Sequence, residues 1–386
     1  MAMAFLPLLR RGSPFIFSRA RSQARVHLAY AATVVPTSDP NALEWAGQQI
    51  RDGRLVAFPT ETVFGLGASV ENETALANVF TVKERPRNDP LICHVLEVED
   101  ALALYEDSKQ LHAVVYKLAE SFWPGPLTIV AQAASKVSPL IHSGTGLVGC
   151  RSPEHPIARR LLEHAKVPIA APSANKFGHV SPTSATHVLE DLGDSDIVIL
   201  ESPEGCNVGI ESTVARVDVC EDTSRVTMRV LRAGAVSASA LRSCLQNAGI
   251  DCEVAAPTTV YVSAEDSNAM ASPGQLLKHY APKGIASFIV RDNQESELPT
   301  GEIAVLDLGG RLEWTRHLAG VSRYTDLSAV DSGAEAATVL FAELRRAEAA
   351  GCGTLLVPDL SRPAETDEAL AAVWDRLFRS ASGRFL

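Results

Sequence analysis

The stretch Gly53–Val95, GRLVAFPTETVFGLGASVENETALANVFTVKERPRNDPLICHV, constrains the fold more than any other part of this sequence. An apolar run, Leu55–Phe58, stops at Pro59, as a buried strand does. It opens into a hydroxyl-rich turn, Thr60-Glu61-Thr62. Residues Thr74–Lys83 then carry Leu76, Val79 and Phe80 at helical spacing, and Pro86 forbids that helix from continuing. The helix therefore ends on two cations, Lys83 and Arg85. Arg offers phosphate a two-pronged fork and Lys a compact charge that meets a carboxylate. Taken alone, the pair serves equally well to complement the helix dipole, an effect of about 1 kcal/mol or less.

At 386 residues the chain exceeds one ordinary core, so two domains are expected. No apolar run approaches the ~20 residues that span a bilayer, so no membrane partner is expected. Residues 1–38 hold five arginines, no lysine and no acid, a charge of +5 that leaves −16 for the remainder of a chain of formal charge −11. The acidic remainder argues against non-specific nucleic-acid binding, which phosphate neutralisation drives. The acid-free, Arg-rich start, with Phe5–Leu9 preceding Arg10, reads as a mitochondrial transit peptide over residues 1–37 rather than a secretory signal. A disordered start without targeting, and a second, cytoplasmic form, stay open. The seven cysteines (93, 150, 206, 220, 244, 252, 352) form no Cys-x-x-Cys pair, which points to reduced thiols and no structural metal.

Along the chain, strands and helices alternate. Helices are expected over Asn41–Arg51, Leu111–Phe122 and His155–Ala165, with another starting at Ser181-Pro182-Thr183. Strands are expected at Leu91–Val95, Leu127–Ala131, Leu147–Arg151, Val167–Ala171, Ile197–Glu201, Thr213–Val217 and Thr227–Arg232. This order gives an α/β domain over 38–244. Leu245–Pro282 shows little periodicity and reads as a linker, 245–284, with one ordered motif, Ser272-Pro273-Gly274…His279-Tyr280-Ala281-Pro282. Residues 285–386 resume a βα rhythm: strand Ile303–Leu308, helix Ala334–Ala349, strand Thr354–Pro358, helix Glu368–Arg379. That favours a small Rossmann-like parallel sheet with right-handed crossovers. With no phosphate-loop motif in this half, a structural or regulatory module is the plainer reading of it.

Four cations finish elements that otherwise look buried: Lys83, Arg85, Arg151 at the end of Leu147–Arg151, and Arg232 after Val230-Leu231. Burying them unpaired would be prohibitive, so an anionic ligand is the expected common partner. Ser173-Ala174-Asn175 follows an apolar strand, where α/β sheets commonly bind ligands, although such a Ser/Asn turn also closes its own backbone. No His/Asp dyad or serine elbow accompanies these residues. Positioning and charge stabilisation should dominate, as in phosphoryl and adenylyl transfer.

These pieces, taken together, resemble a known family. Pro59-Thr-Glu-Thr62 with Gly65-Leu-Gly67, Lys83-x-Arg85-Pro86, Pro90-Leu-Ile92 with His94, Trp123-Pro-Gly-Pro-Leu-Thr128, Arg151-x-Pro153, Ala171-Pro-Ser-Ala-Asn175, Ser181-Pro-Thr183, Gly209-Ile-Glu-Ser-Thr-Val214, Leu231-Arg232-x-Gly234 and His279-Tyr-Ala-Pro282 stand in the order of the threonylcarbamoyl-AMP synthases. The resemblance is to the long form, a YrdC-like domain with an extra C-terminal domain. It implies a twisted α/β fold with a large cavity. It also implies the condensation of L-threonine, bicarbonate and ATP to threonylcarbamoyl-AMP and pyrophosphate, a nucleotidyltransferase reaction. The product would pass to a tRNA threonylcarbamoyl transferase for the t6A37 modification of tRNA, and weak tRNA contact is implied as well. Residue by residue, Thr62, His94, Arg151 and Ser212 match the threonine side. Arg85, Asp89, Ser173, Ser181, Arg232 and Tyr280 match the ATP side. Lys83 and Asn175 complete, with Arg85 and Ser173, the catalytic Lys-x-Arg…Ser-x-Asn hallmark. Mg²⁺ is implied with the triphosphate, with no metal held by the protein alone, and the linker carrying Tyr280 resembles a flap over the cavity. Asn88-Asp89 reverses the family's usual Asp-Asn, placing a carboxylate where an amide is common. An RNA-binding YrdC-like module without this activity is the alternative, disfavoured by the acidic charge. A related carbamoyl-adenylate enzyme with another acceptor would carry zinc-finger and acylphosphatase-like regions, which are absent from this sequence.

Overall fold

Eleven strands form the first sheet, in the order Thr33–Pro36, Ile197–Glu201, Leu55–Phe58, Gly65–Ser69, Ile169–Ala170, Ile92–His94, Leu147–Arg151, Leu127–Gln132, Thr213–Cys220, Arg225–Arg232 and Cys252–Ala255. The computed structural model describes residues 31–220, 225–255, 279–291 and 298–386, and these counts refer to them. The sheet is mixed: Ile92–His94 runs parallel to Leu147–Arg151, while Ile169–Ala170 runs antiparallel to both of its neighbours. The central strands are buried on both faces, which explains why they read as continuous apolar runs.

One face carries a core of Leu66, Leu76, Val79, Leu118, Ile129 and their neighbours. The other carries Leu43, Ile50, Phe58, Leu161 and Leu162, where helix Ala42–Arg51 meets helix Pro156–Ala165. Several helix starts follow side-chain caps. Asn72 accepts the Ala75 amide at the head of Glu73–Lys83, and Ser237 accepts the Ala240 amide at the head of Ala238–Asn247. Glu84 ends the first of these helices in the left-handed region, at φ 55°. The helix expected from Ser181 begins instead at Ala185, because Ser184 is the residue whose hydroxyl accepts a first-turn amide, that of His187.

Two expectations about boundaries change. Leu245 lies inside helix Ala238–Asn247, and Cys252–Ala255 pairs in parallel with Arg225–Arg232, so the first domain's sheet runs past 244. Alternation is weak there because the strand is a short edge with one buried residue, Val254. Thr33–Pro36, within the expected leader, pairs with Ile197–Glu201 at the opposite edge. Residues 1–30 of that leader, and 256–278 of the expected flap with its Ser272-Pro273-Gly274, lie outside the described residues.

The C-terminal half forms a second sheet, ordered Ala286–Val290, Thr354–Pro358, Ile303–Asp307, Val321–Asp326, with every pairing parallel. Helices Gly333–Ala349 and Glu368–Ser380 pack on it. Its core does not close on itself. Val63, Val180, Ile210 and Tyr280 join Leu340, Phe341 and Leu344 in one apolar cluster, so the two halves share buried surface. The loop before Glu211 comes so close that a Cβ on Gly209, whose φ is +75°, would lie 2.4 Å from the Ala337 carbonyl oxygen. Gly209→Ala is therefore expected to lower stability by roughly 1–3 kcal/mol from the left-handed backbone alone, with the clash added to it. Urea unfolding would read this, and an unchanged midpoint would contradict the close approach.

Candidate active site

The site lies where strands end. His94 and Arg151 are the last residues of two parallel strands and sit opposite one another in register, so both point to one side of the sheet. Ser212 precedes Thr213–Cys220, and its hydroxyl lies 2.7 Å from that of Thr128. Arg232 ends the neighbouring strand beyond a bulge and donates to the Ser212 carbonyl at 3.1 Å and hydroxyl at 3.2 Å. Ser173 follows Ile169–Ala170 and bridges to Gly65.

The Pro-Thr-Glu-Thr turn is built by its own hydroxyls. Thr60 Oγ1 accepts the Thr62 and Val63 amides at 3.2 Å each and donates to the Val63 carbonyl at 2.7 Å. This presents Thr62 Oγ1 to Arg151 Nη1 at 2.8 Å, and Glu61 to Arg151 Nη2 at 2.6 Å. Phe58 meets His94 edge to face at 5.8 Å. These elements enclose a cavity of about 50 Å³ lined by Thr62, Arg85, His94, Arg151, Ser173, Ser212 and Arg232, together with Thr60, Glu211 and His279.

Five residues expected at the site stand behind this lining. Lys83, buried in the last turn of its helix, donates to the carbonyls of Ser173 and Asn175. Asn175 Nδ2 donates to the Lys176 and His179 carbonyls at 2.8 Å each. The hallmark lysine and asparagine thus brace the loop that carries Ser173. Asp89 ion-pairs with Arg85 at 2.9 Å, so the unusual carboxylate offsets a buried guanidinium. Ser181 donates to Glu211 at 2.6 Å, and Tyr280 is fully buried, stacked on Phe341 at 5.2 Å.

The expectation of four cations without protein partners is corrected. Arg85 has Asp89 and Arg151 has Glu61, whereas among the described residues Lys83 and Arg232 meet only uncharged groups at hydrogen-bond distance. Asp89 is four residues from Arg85 and could have been paired from sequence. Glu61 is far from Arg151 along the chain, and only the sheet joins them. Thr60, Glu61, Thr128, Glu211 and His279 all lie within the family motifs, but their contacts at the site follow only from the tertiary structure.

Burial, with Arg85 beside it, holds the Lys83 ammonium well below the ordinary lysine value. Burial works to raise Glu61, but the Arg151 charge and hydrogen bond outweigh it and keep this carboxyl low. Burial and Arg151 push His94 down to about 3, so its imidazole is neutral at neutral pH. His279 is likewise held well below the ordinary value, by burial and then by the charge of Arg379, Arg85, Lys83 and Arg232. Burial and then Glu211 push Tyr280 up to about 12. The cavity is a cationic box with neutral imidazoles in its wall.

His187, pushed down to about 4 by burial and Arg345, behaves like His94. Each refuses a proton in the folded chain that a free imidazole takes near pH 6.5. The unfolded state therefore binds more protons, and stability falls as pH drops from about 6.5 toward 4 and then 3. His179 is raised by Asp191 and Glu348 against burial, so its contribution is complete below pH 6.5 and fades as pH rises through its folded value. The melting temperature should decline between pH 7 and 4.5, and less steeply in His187→Gln. A flat wild-type profile would contradict these environments.

Convergent strand ends around buried cations make this an α/β protein with a positively charged cavity at the ends of its strands. Two family models match in series. Residues 48–234 match the Sua5/YciO/YrdC model, described as telomere recombination, and 236–382 match one described as threonylcarbamoyl-AMP synthase, C-terminal domain. The threonylcarbamoyl-AMP synthase of Schizosaccharomyces pombe is 31% identical over 387 residues, covering 91% of this chain and 90% of that protein. Those of Pyrococcus abyssi and Bacillus subtilis are 38% and 35% identical over 60% and 64% of this chain, and those matches span 63% and 66% of the relatives' lengths. The crystal structure of P. abyssi Sua5 complexed with L-threonine superposes with a TM-score of 0.74 at 29% identity, over 92% of this chain and 98% of that one. A His/Tyr double-alanine variant of P. abyssi Sua5 gives 0.75 at 28%, with the same coverage. The chain belongs to the Sua5/YrdC family of threonylcarbamoyl-AMP synthases, in the form with a C-terminal domain.

Proposed function

We propose that this chain is an L-threonylcarbamoyladenylate synthase, a nucleotidyltransferase that uses L-threonine, bicarbonate and ATP. The observation that supports it most is the gathering of Thr62, His94, Arg151 and Ser212 with Arg85, Ser173 and Arg232 around one cavity. The first four match the threonine side of the family pattern, and the relative solved with L-threonine shares the fold over nearly its whole length.

In this reading the Arg151 fork, oriented by Glu61 and Thr62, takes the threonine carboxylate. The neutral His94 offers a hydrogen bond without a second charge. The threonine amine attacks bicarbonate, a C–N bond forms, and water leaves to give the carbamate. A carbamate oxygen then attacks the α-phosphorus of ATP while the bond to the β-phosphate oxygen breaks and pyrophosphate departs. Arg85 and Arg232 offset charge developing on the phosphates, and the Ser173 loop, braced by Lys83 and Asn175, holds them near attack distance.

The lining offers no ligand set for Mg²⁺. Its one carboxylate among the described residues, Glu211, is taken by Ser181 and Arg376. Mg²⁺ is therefore proposed only as a passenger on the triphosphate, and no step is assigned to it. A cavity of about 50 Å³ is far below the roughly 300–1,000 Å³ of ligand pockets. Nucleotide entry requires the segment bearing His279 and Tyr280 to withdraw, and its return would shield the labile adenylate from water. The product would pass to a tRNA threonylcarbamoyl transferase for t6A37.

Purified protein should release pyrophosphate only when ATP, threonine and bicarbonate are all present, with serine a poor substitute. Equal turnover without amino acid would overturn the assignment. Arg85→Lys keeps the charge that Asp89 needs but loses the fork, and should lower turnover by about a hundredfold. Mitochondrial targeting, with a further cytoplasmic form, is proposed from the Arg-rich start. Because Thr33–Pro36 belongs to the sheet, the leader is proposed to end before Thr33. A reporter carrying residues 1–32 should enter mitochondria, and a diffuse cytosolic signal would refute this.

A further inference from the structure

The second domain reaches the cavity from behind through one side chain. Arg376, on helix Glu368–Ser380, is fully buried. Its Nε and Nη2 each lie 3.3 Å from Glu211 Oε2, its Nη2 donates to the Glu211 carbonyl at 3.5 Å, and its Nη1 donates to the Ala233 carbonyl at 2.5 Å. Glu211 and Ala233 are the chain neighbours of Ser212 and Arg232. Between them the backbones are in contact, since a Cβ on Gly234 would lie 2.4 Å from the Thr213 nitrogen. Arg376 therefore clamps two strand ends at the point where two cavity residues emerge. The guanidinium also lies 5.8 Å from the Tyr280 ring centroid.

Among the described residues Glu211 is the one carboxylate in the lining. Among the described residues of the first domain its carboxylate receives only the Ser181 hydroxyl, which cannot offset a buried negative charge. Arg232, which makes no ion pair among the described residues, feels the Glu211 charge. We infer that Arg376 is a positioning residue for the synthase reaction: by holding Glu211, it leaves Arg232 available to substrate phosphate and keeps Ser181 oriented. The C-terminal domain is then part of the catalytic apparatus, because the first domain's cavity is electrostatically incomplete without it. Asp375, 3.5 Å from Arg376 Nη1 and 3.1 Å from Arg379 Nε, holds the side of the clamp facing away from Glu211.

This inference rests on the proposed function for its substrate, and its test reads binding separately from turnover. ATP affinity is measured by calorimetric titration on full-length wild type, Arg376→Met and Arg376→Met/Glu211→Gln. Arg376→Met removes the charge at similar volume and strands Glu211 beside the phosphates. ATP should bind about tenfold or more weakly, the scale of one extra unit charge facing an anion in a partly buried site, with threonine affinity changed much less. Adding Glu211→Gln removes the stranded charge but keeps an acceptor for Ser181, and should return ATP affinity to within about threefold of wild type. A role in packing alone would not be rescued by that second change. ATP binding by Arg376→Met at wild-type strength overturns the inference, as does a loss that Glu211→Gln fails to recover. Where Arg376→Met does not fold, a folded double variant with near-wild-type ATP affinity supports it, and a double variant that binds weakly or stays unfolded overturns it. Wild-type protein that binds ATP but makes no threonine-dependent pyrophosphate would sink the proposed function and leave the binding comparison to decide this point.

Discussion

The cost of burying charge governs this molecule. Arg85, Arg151, Arg232 and Lys83 all lie at the ends of elements with nearly no exposure, and an unpaired ion there would cost several kcal/mol. Each is answered differently. Arg151 is answered by Glu61 and Arg85 by Asp89, whereas Lys83 has carbonyl oxygens and Arg232 has Ser212. The result is a positively charged cavity whose arginine and lysine side chains are already held by protein partners. Side chains that are already placed lose little freedom on binding, so the attraction to an anion is spent on the ligand.

The same principle ties the two domains together. A polar seam runs beside the shared apolar core. Arg345 of helix Gly333–Ala349 pairs with Asp191 at 2.9 Å and donates to the Val180 carbonyl at 2.6 Å, while His179 bridges Asp191 and Glu348. Asn175 holds the His179 carbonyl, so this seam is one residue removed from the loop that presents Ser173. Docking of the second domain and the shape of the site are thus consequences of one set of contacts. The C-terminal half is in direct contact with the cavity wall, since one of its helices sends a fully buried arginine to the Glu211 carboxylate.

Much of the fold was legible in the sequence, for local reasons. Leu55–Phe58, Leu147–Arg151 and Ile197–Glu201 are apolar runs between breakers, and their bounds agree with the structure. Gly65–Ser69 gives little strand signal, since its two glycines and a serine carry little strand preference. It forms by pairing with Leu55–Phe58 and Ile169–Ala170, and Phe58 and Ile169 fill the space that a side chain at Gly67 would need. Cys252–Ala255 and Thr33–Pro36 are edge strands with little burial, so hydrophobic alternation, the usual signal, is weak in both. At the site, motif order picked out the lining residues Thr62, Arg85, His94, Arg151, Ser173, Ser212 and Arg232. It could not say that Lys83, Asn175, Asp89, Ser181 and Tyr280 stand behind that wall.

What the sequence determined by itself was element type, the two-domain plan, the family pattern and the presence of cations at strand and helix ends. These depend on neighbours within a few residues, where propensity, proline and periodicity act directly. Beyond the local pair of Arg85 with Asp89, tertiary structure alone decided which carboxylate meets which cation. Glu61 reaches Arg151, and Arg376 reaches Glu211, across separations along the chain that no local rule can see. Electrostatic energy depends on distance through a low-dielectric interior, and that distance exists only after the sheets have formed and the second domain has docked.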